Sequence, residues 1–213
     1  MSYKDVYEEW KQNPIEFWRN QSKEISWYET ADKILDDSRK PFYNWFTGGS
    51  INACYNCVDR HIENGRGQDI AIIYDSAMCK KVKKISYSEL KKDVAKLAGA
   101  LKEKGIEKGD RVIIYMPMIP EAAIAMLACA RVGAVHSVVF AGFSSTALAD
   151  RINDCKAKMV LTSDGNYRGA KNIPVKAVVD EALEKTTSVE KVIVCKRTDA
   201  KVQMKSGRDL WWH

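Results

Sequence analysis

The sequence has no uninterrupted apolar run long enough to cross a bilayer. Its longest apolar-rich stretch, residues 116–139, is broken by two prolines, two charged residues and a histidine. The first residues, Met1–Asp5, contain neither an apolar signal region nor an arginine-rich presequence. We therefore expect a cytoplasmic protein with no membrane partner.

Several short motifs that identify common enzyme sites are also absent. The sequence contains no GxSxG elbow of hydrolases, no HExxH of zinc peptidases and no GxxxxGK[ST] phosphate loop. The GxGxxG of dinucleotide-binding domains is missing, and no acidic residue ends a following strand at the spacing of a ribose contact. These absences disfavour a nicotinamide-dependent oxidoreductase.

The cysteine pattern predicts no disulfide framework. Four cysteines are isolated in the sequence and are expected to be small buried hydrophobes: Cys79, Cys129, Cys155 and Cys195. Cys54 and Cys57 form a CxxC, but a zinc site needs a second ligand pair, and His61 is the only nearby candidate. No predicted strand precedes Cys54, as a redox motif would require. Zinc binding and a redox role are both disfavoured.

The charge of the chain is only moderately basic. It carries 34 basic and 28 acidic residues, a net charge of +6. The lysines are scattered over predicted helices and turns and do not alternate with aromatics along one strand. This pattern is typical of a solvated surface and gives little support to nucleic-acid binding. A local basic site for a phosphorylated small molecule remains open.

Residues 1–50 are rich in aromatic side chains at spacings that fit neither a regular helix nor a strand. We predict short helices and loops there, with the aromatics as anchors. Residues 52–63 have the pattern of a helix, which the run Asn64–Gly67 would end. Residues 1–65 are therefore predicted to form an N-terminal arm.

From residue 70 onward, strand patterns alternate with helix patterns. Strands are predicted at residues 71–74, 84–87, 111–116, 136–140, 158–162 and 192–194. A short strand over 175–179, leading into a helix over 180–185, completes the series. Repeated βα units of this length imply right-handed crossovers and an α/β fold, a doubly wound and mostly parallel sheet.

Two of the helices have clear local boundaries. Ser86 and Glu89 have the spacing of a capping box, and Gly105 is placed to end the helix that follows them. Pro120 is suited to the first turn of the next helix, and Gly133 to its end. That second helix is apolar almost all round and should be buried.

Ligands of doubly wound sheets gather at the carboxyl ends of the strands. Three loops occupy such ends, at residues 117–120, 140–144 and 164–171. The second contains Phe140 and Gly142 and ends in a serine and a helix start, a weak match to a phosphate-binding turn. His136, near the start of the preceding strand, is expected to be structural.

The third loop has the stronger ligand-binding chemistry. Arg168 and Lys171 flank two small residues, Gly169 and Ala170, which would let a ligand approach the backbone closely. A guanidinium can stack on a base and pair with a phosphate. An ordinary exposed basic loop is the alternative that the residues alone leave open.

Several stretches resemble the AMP-forming acetyl-CoA synthetases. They are Trp45–Gly49, Tyr55–His61, Tyr115–Glu121, Ala130–Phe140, Tyr167–Lys171 and Gly207–Trp212. The resemblance runs from about residue 14 to the end of the chain. It departs from the family at Ala141, where glycine is common, and at Ser50–Ile51. Because Cys57 belongs to one of these stretches, the resemblance implies that the CxxC is part of a family signature and not a metal site.

The resemblance implies ligation of acetate to coenzyme A with ATP and Mg²⁺, through an acetyl-AMP intermediate. It implies that residues 1–65 are the family's N-terminal arm and that residues 66–213 are the first part of its AMP-binding domain. It also implies a coenzyme A site at Arg168, Gly169, Ala170 and Lys171, together with Phe140 and Gly142.

The family's phosphate loop, acidic magnesium ligand, ribose-binding aspartate and C-terminal lysine all follow the region that this chain matches. We therefore expect no catalytic residue in residues 1–213 and no activity from this polypeptide alone. A propionate–CoA ligase and a non-catalytic module that binds coenzyme A or a partner chain are the alternatives.

Overall fold

A computed structural model describes residues 2–169 and 171–213. The chain divides into two compact units, Met1–Arg60 and His61–His213. No helix among the described residues is long and apolar enough to span a membrane.

The first unit contains two helices and a β-hairpin. Its elements are α1 (Tyr3–Gln12), α2 (Pro14–Gln21), a 3₁₀ turn (Ser22–Glu24), β1 (Lys33–Arg39) and β2 (Phe42–Thr47). The expectation of helices and loops alone was wrong, because β1 and β2 pair antiparallel. Phe42 and Tyr43, adjacent in β2, are both exposed, so the strand shows no alternation of buried and exposed residues. The following helix includes a π-helical stretch, Tyr55–Asp59.

The second unit is built on a parallel sheet. Its strands are β5 (Arg111–Tyr115), β6 (Val135–Val138), β7 (Met159–Ser163), β10 (Lys191–Cys195) and β11 (Asp209–Trp211). The strand order is β11-β10-β7-β5-β6, and all pairs are parallel. The expected α/β fold with a mostly parallel sheet is confirmed. The three-residue strand β11 was not predicted.

Helices cover both faces of this sheet. They are α3 (Tyr87–Glu103), α4 (Pro120–Val132), α5 (Ser145–Cys155) and α6 (Val175–Leu183). α5 and α6 bury their apolar faces against one side of the sheet, in a core that includes Ile113, Leu148 and Val179. Right-handed crossovers place α4, which joins β5 to β6, on the opposite side. β5, β7 and β10 are buried over almost their whole length, as strands covered on both faces must be.

The predicted helix boundaries hold. Ser86 and Glu89 form the capping box of α3, Pro120 lies in the first turn of α4, and Gly133 caps α4 in the left-handed conformation with φ of 77°. Residues 175–179, predicted as a strand, are instead the first half of α6. Packing against the sheet favours the helix over a strand, since Val175, Val179 and Ala182 are buried at helical spacing.

The remaining strands form hairpins outside the parallel sheet. β3 (Ile70–Ser76) pairs antiparallel with β4 (Lys81–Ser86), and β8 (Asn166–Arg168) pairs antiparallel with β9 (Lys171–Ile173). The alternating βα interpretation was wrong for β3 and β4, because the short turn between them leaves no room for a crossover helix. The loop predicted over 164–171 therefore contains β8 and the first residue of β9.

Candidate functional site

The carboxyl ends of β5, β6 and β7 form the edge of the sheet where a ligand crevice is expected. The chain runs from β5 outward to β6 and then back past β5 to β7, so helices leave β5 and β6 toward opposite faces. Such a switch in direction opens a crevice at the strand ends. All three loops singled out in the sequence follow these strands.

The Arg168–Lys171 hairpin lies just beyond β7. Arg168 pairs with Lys171 across the ends of β8 and β9, and both residues are exposed. Gly169 has a φ of 60°, a left-handed conformation that glycine adopts without strain. Ala170 lies outside the described residues. Within the described chain, no carboxylate lies within salt-bridge distance of either cation, which leaves both available to a ligand.

The loop after β6 presents an aromatic surface. Phe140 is 70% exposed. Its ring packs edge-on against the ring of Phe143, with 6.0 Å between the ring centroids. A Cβ atom on Gly142 would lie 2.4 Å from the Phe140 ring, so glycine lets the ring lie against the turn. The buried Tyr115 hydroxyl donates a hydrogen bond to the Phe143 carbonyl at 2.7 Å and ties this loop to β5. The predicted strand over 136–140 ends earlier, at Val138.

These two groups of predicted site residues belong to strands that flank β5. β6 and β7 are each hydrogen-bonded to β5, so their axes are separated by about 10 Å. Among the described residues, no ring contact or cation–π contact joins the Phe140 loop to the Arg168 hairpin. A ligand reaching both would lie across the carboxyl end of β5.

Asp164 fixes the chain where β7 ends. Its buried carboxylate accepts hydrogen bonds from the backbone N–H groups of Gly165, Arg197, Thr198 and Ala200, at 2.7–3.2 Å. This single side chain therefore holds the loop after β10 beside the loop after β7. The sequence placed Asp164 in a candidate loop but gave no sign of its role, since all its partners except Gly165 lie more than thirty residues away.

A buried ionic network holds β11 against α6. The Lys176 ammonium contacts Asp180 at 2.7 Å and Asp209 at 2.8 Å, and Arg208 contacts both carboxylates. Burial raises the pKa of Asp209, but hydrogen bonds from Arg208 and Lys176 outweigh it and leave that pKa lowered to about 2. Sequence reasoning missed this network entirely, because its members come from two segments, α6 and Arg208–Asp209, that lie about thirty residues apart in the sequence.

His136, Cys129 and Cys195 take the positions expected of structural residues, whereas the expected burial of Cys79 and Cys155 was wrong, because both are only partly buried. His136 is partly buried in β6, and this burial lowers its pKa. Cys129 and Cys195 are buried, and desolvation raises the pKa of each thiol to about 12. Cys54 is buried and Cys57 is exposed. Over residues 2–169 and 171–213, no cluster of three or more His, Cys, Asp or Glu side chains is arranged to hold a metal ion.

Conspicuous residues of the first unit organise its backbone. The Asn56 side chain accepts a hydrogen bond from the Ser26 N–H and donates one to the Ser26 carbonyl, each at 2.9 Å. Arg60 donates to the Glu24 carbonyl at 2.7 Å. Gly49 packs against the Trp27 ring so closely that a Cβ would lie 2.5 Å from it. These stretches therefore have a structural role in the unit.

Comparison with known proteins gives two consecutive matches. Residues 3–57 match the family model described as acetyl-coenzyme A synthetase N-terminus, and residues 58–211 match that described as AMP-binding enzyme. The acetyl-coenzyme A synthetase of Mycolicibacterium smegmatis is 50% identical over 208 residues, 98% of this chain and 22% of the relative. That of Streptomyces coelicolor is 49% identical over 209 residues, 98% of this chain and 32% of the relative.

A solved structure has the same fold. The acetoacetyl-CoA synthetase from Streptomyces lividans superposes with a TM-score of 0.86 at 25% identity, covering 96% of this chain and 31% of that one. The chain thus spans between about a fifth and a third of the length of these proteins. The resemblance to the acetyl-CoA synthetases is confirmed over an N-terminal portion. Since the second family model covers well over half of its residues, the chain belongs to the AMP-binding enzyme family.

Proposed function

We propose that this chain is the N-terminal portion of an acetate–CoA ligase of the AMP-forming type. The observation that carries the proposal is the order of the two matches, an acetyl-coenzyme A synthetase N-terminus followed directly by an AMP-binding region. Residues 1–65 would serve as the arm and residues 66–213 as the first part of the nucleotide domain. We place the protein in the cytoplasm, in keeping with its sequence pattern.

The proposed reaction has two steps. A carboxylate oxygen of acetate attacks the α-phosphorus of ATP, the bond from that phosphorus to the bridging oxygen breaks, and diphosphate leaves. The thiol of coenzyme A then loses its proton and attacks the acyl carbon, and AMP leaves with the bonding electrons. Magnesium would neutralise charge on the phosphates. We assign none of this chemistry to residues 1–213.

The part that we assign to this chain is to bind coenzyme A. Arg168 and Lys171 are exposed cations without carboxylate partners among the described residues, and Gly169 opens the turn between them. Coenzyme A carries a 3′-phosphate and a diphosphate, which such cations can pair with. Phe140 offers an exposed ring for stacking, and Gly142 lets that ring lie close to the turn. Ala170 completes the proposed site.

A chimaera tests the proposal. Residues 1–213 would replace the matching segment of the Streptomyces coelicolor relative, which supplies the remaining two thirds of a ligase. We expect acetate-dependent formation of AMP, diphosphate and acetyl-CoA, with the native relative as control. A chimaera that folds but forms neither acetyl-CoA nor diphosphate with acetate would contradict it. The choice between acetate and propionate depends on residues outside this chain. In the chimaera the Streptomyces coelicolor relative supplies those residues, so the chimaera does not test that choice.

A second candidate function is a binding module without activity. The hairpin favours this function, because β8 and β9 place Arg168 and Lys171 opposite each other in the strand register without any further part of a ligase. Calorimetric titration of the 213-residue protein with coenzyme A tests binding directly. Binding by the isolated chain together with an inactive chimaera would favour the module over the ligase.

A further inference from the structure

A second cavity opens at the carboxyl edge of the sheet, next to the Arg168 hairpin. It has a volume of about 230 Å³ and lies where the β3–β4 hairpin faces the first turn of α4 and the loop after β10. The side chains that matter here are Tyr74, Lys81, Lys83, Glu121, Lys196 and Arg197. The proposed coenzyme A site uses none of these residues, and of them only Glu121 lies in a stretch that carries the family resemblance.

The charge lining this cavity is strongly positive. Its lining includes four cationic side chains, those of Lys81, Lys83, Lys196 and Arg197, and one carboxylate, that of Glu121. The Lys196 ammonium also lies over the Trp211 ring. Among residues 2–169 and 171–213, none of the four cations has a salt bridge. Like charges gathered around a concave surface repel one another unless an anion lies between them.

The strand pairing places the cations of β4 on one face. Lys81 and Lys83 are two residues apart in β4, so their side chains project to the same side of the hairpin. Tyr74 pairs directly with Lys83 in the antiparallel register and lies beside it on that side. Lys83 also lies beside Glu89 of the adjoining cleft.

Neutral partners hold Arg197 in place. Its guanidinium donates hydrogen bonds to the Tyr74 hydroxyl at 2.8 Å and to the Asn166 side-chain oxygen at 3.2 Å, and it lies over the Tyr167 ring. Its backbone N–H is bound by the buried Asp164 carboxylate. Arg197 is thus fixed at the cavity with its positive charge uncompensated by any described carboxylate. A rigid guanidinium of this kind is suited to binding phosphoryl oxygens.

We propose that this cavity binds a diphosphate group. Four cations against one carboxylate match a small ion with several negative charges better than a singly charged one. The volume is below the roughly 300–1,000 Å³ that drug-sized ligands occupy, so a whole nucleotide would extend out of the cavity. Free diphosphate and the terminal diphosphate of a nucleotide share this chemistry. The proposal stands independently of the ligase activity.

The test is calorimetric titration of the 213-residue protein with inorganic diphosphate at low salt. Lys83→Gln removes an exposed cation that makes no hydrogen bond among the described residues, so the variant should fold normally. We expect its Kd to rise by about three- to tenfold. The matched control is Lys102→Gln, which removes the same charge from an exposed position of α3 outside the cavity, and which should change Kd less than twofold.

Further titrations separate the possible ligands. Tighter binding of inorganic diphosphate than of ADP supports the free ion, and the reverse order supports a nucleotide whose diphosphate enters the cavity. Amide chemical shifts should move at Tyr74 and Lys83 with diphosphate, and at the Arg168 hairpin with coenzyme A. The proposal is overturned if neither diphosphate nor ADP binds, or if Lys102→Gln weakens binding as much as Lys83→Gln. None of these outcomes depends on ligase activity.

Discussion

The Asp164 carboxylate accepts a hydrogen bond from the Arg197 backbone N–H at 2.8 Å. Through this contact, a buried side chain at the end of β7 determines where the loop after β10 lies. The same carboxylate accepts three further backbone N–H groups, so its negative charge is satisfied without a cationic partner. Both proposed anion sites adjoin this point, the hairpin after β7 on one side and Arg197 on the other.

Asp164→Asn should destabilise the protein by about 2–4 kcal/mol, because an amide NH₂ would replace an oxygen that now faces N–H donors. Urea unfolding followed by circular dichroism measures the change. Asp75→Asn, at an exposed carboxylate of β3, is the control and should stay within about 0.5 kcal/mol of the parent. Equal stability of the two variants would show that the hydrogen bonds of Asp164 contribute little.

Asp209 should make the stability of the second unit depend on acid pH. Its pKa is lowered from 3.8 to about 2 in the folded state, so the stabilisation is present above pH 4 and is lost as the pH falls toward 2. The full effect is about 2 kcal/mol. Unfolding measured from pH 6 to pH 2.5 should give a shallower acid slope for Asp209→Asn, whereas Asp154→Asn, at an exposed carboxylate of α5, keeps the parental slope. Identical slopes for all three proteins would contradict this account.

The cysteines should separate by reactivity in the native protein. Burial raises the pKa of Cys129 and of Cys195 to about 12, so both stay protonated and inaccessible at pH 8. Cys57 is exposed and should react first with a thiol-specific reagent such as a maleimide. Mass spectrometry of peptides after brief labelling identifies the site, and Cys57→Ser should remove the fast reaction. Early labelling of Cys129 or Cys195 would mean that the core opens readily.

Local sequence signals predicted the elements whose boundaries are set locally. The capping box of Ser86 and Glu89 and the left-handed Gly133 depend only on neighbouring residues, and both are confirmed. The helix at residues 175–183 was misread because its valines favour strands, whereas burial of Val179 against the sheet requires a helix. Three-residue β11 exists only through its pairing with β10 and the contacts of Asp209.

The candidate sites also differ in how far local sequence could predict them. Arg168 and Lys171 could be singled out because they flank small residues in one short segment after a predicted strand. Arg197 follows a buried strand too, but its position at a cavity depends on Asp164 and Tyr74, which are far away in sequence. A cation directly after a buried strand was the available signal, and its partners were not visible from the sequence.

The most direct test of the proposed function is a comparison of two rates on Arg168→Ala in the chimaeric ligase. Loss of a charge-assisted contact to coenzyme A should raise the KM for coenzyme A about ten- to a hundredfold. Acetate-dependent ATP–diphosphate exchange, which needs no coenzyme A, should barely change. Arg39→Ala, an exposed arginine of β1, is the control and should leave both rates at the parental level. If exchange falls as far as coenzyme A-dependent turnover, Arg168 serves the fold or ATP, and the assignment is contradicted.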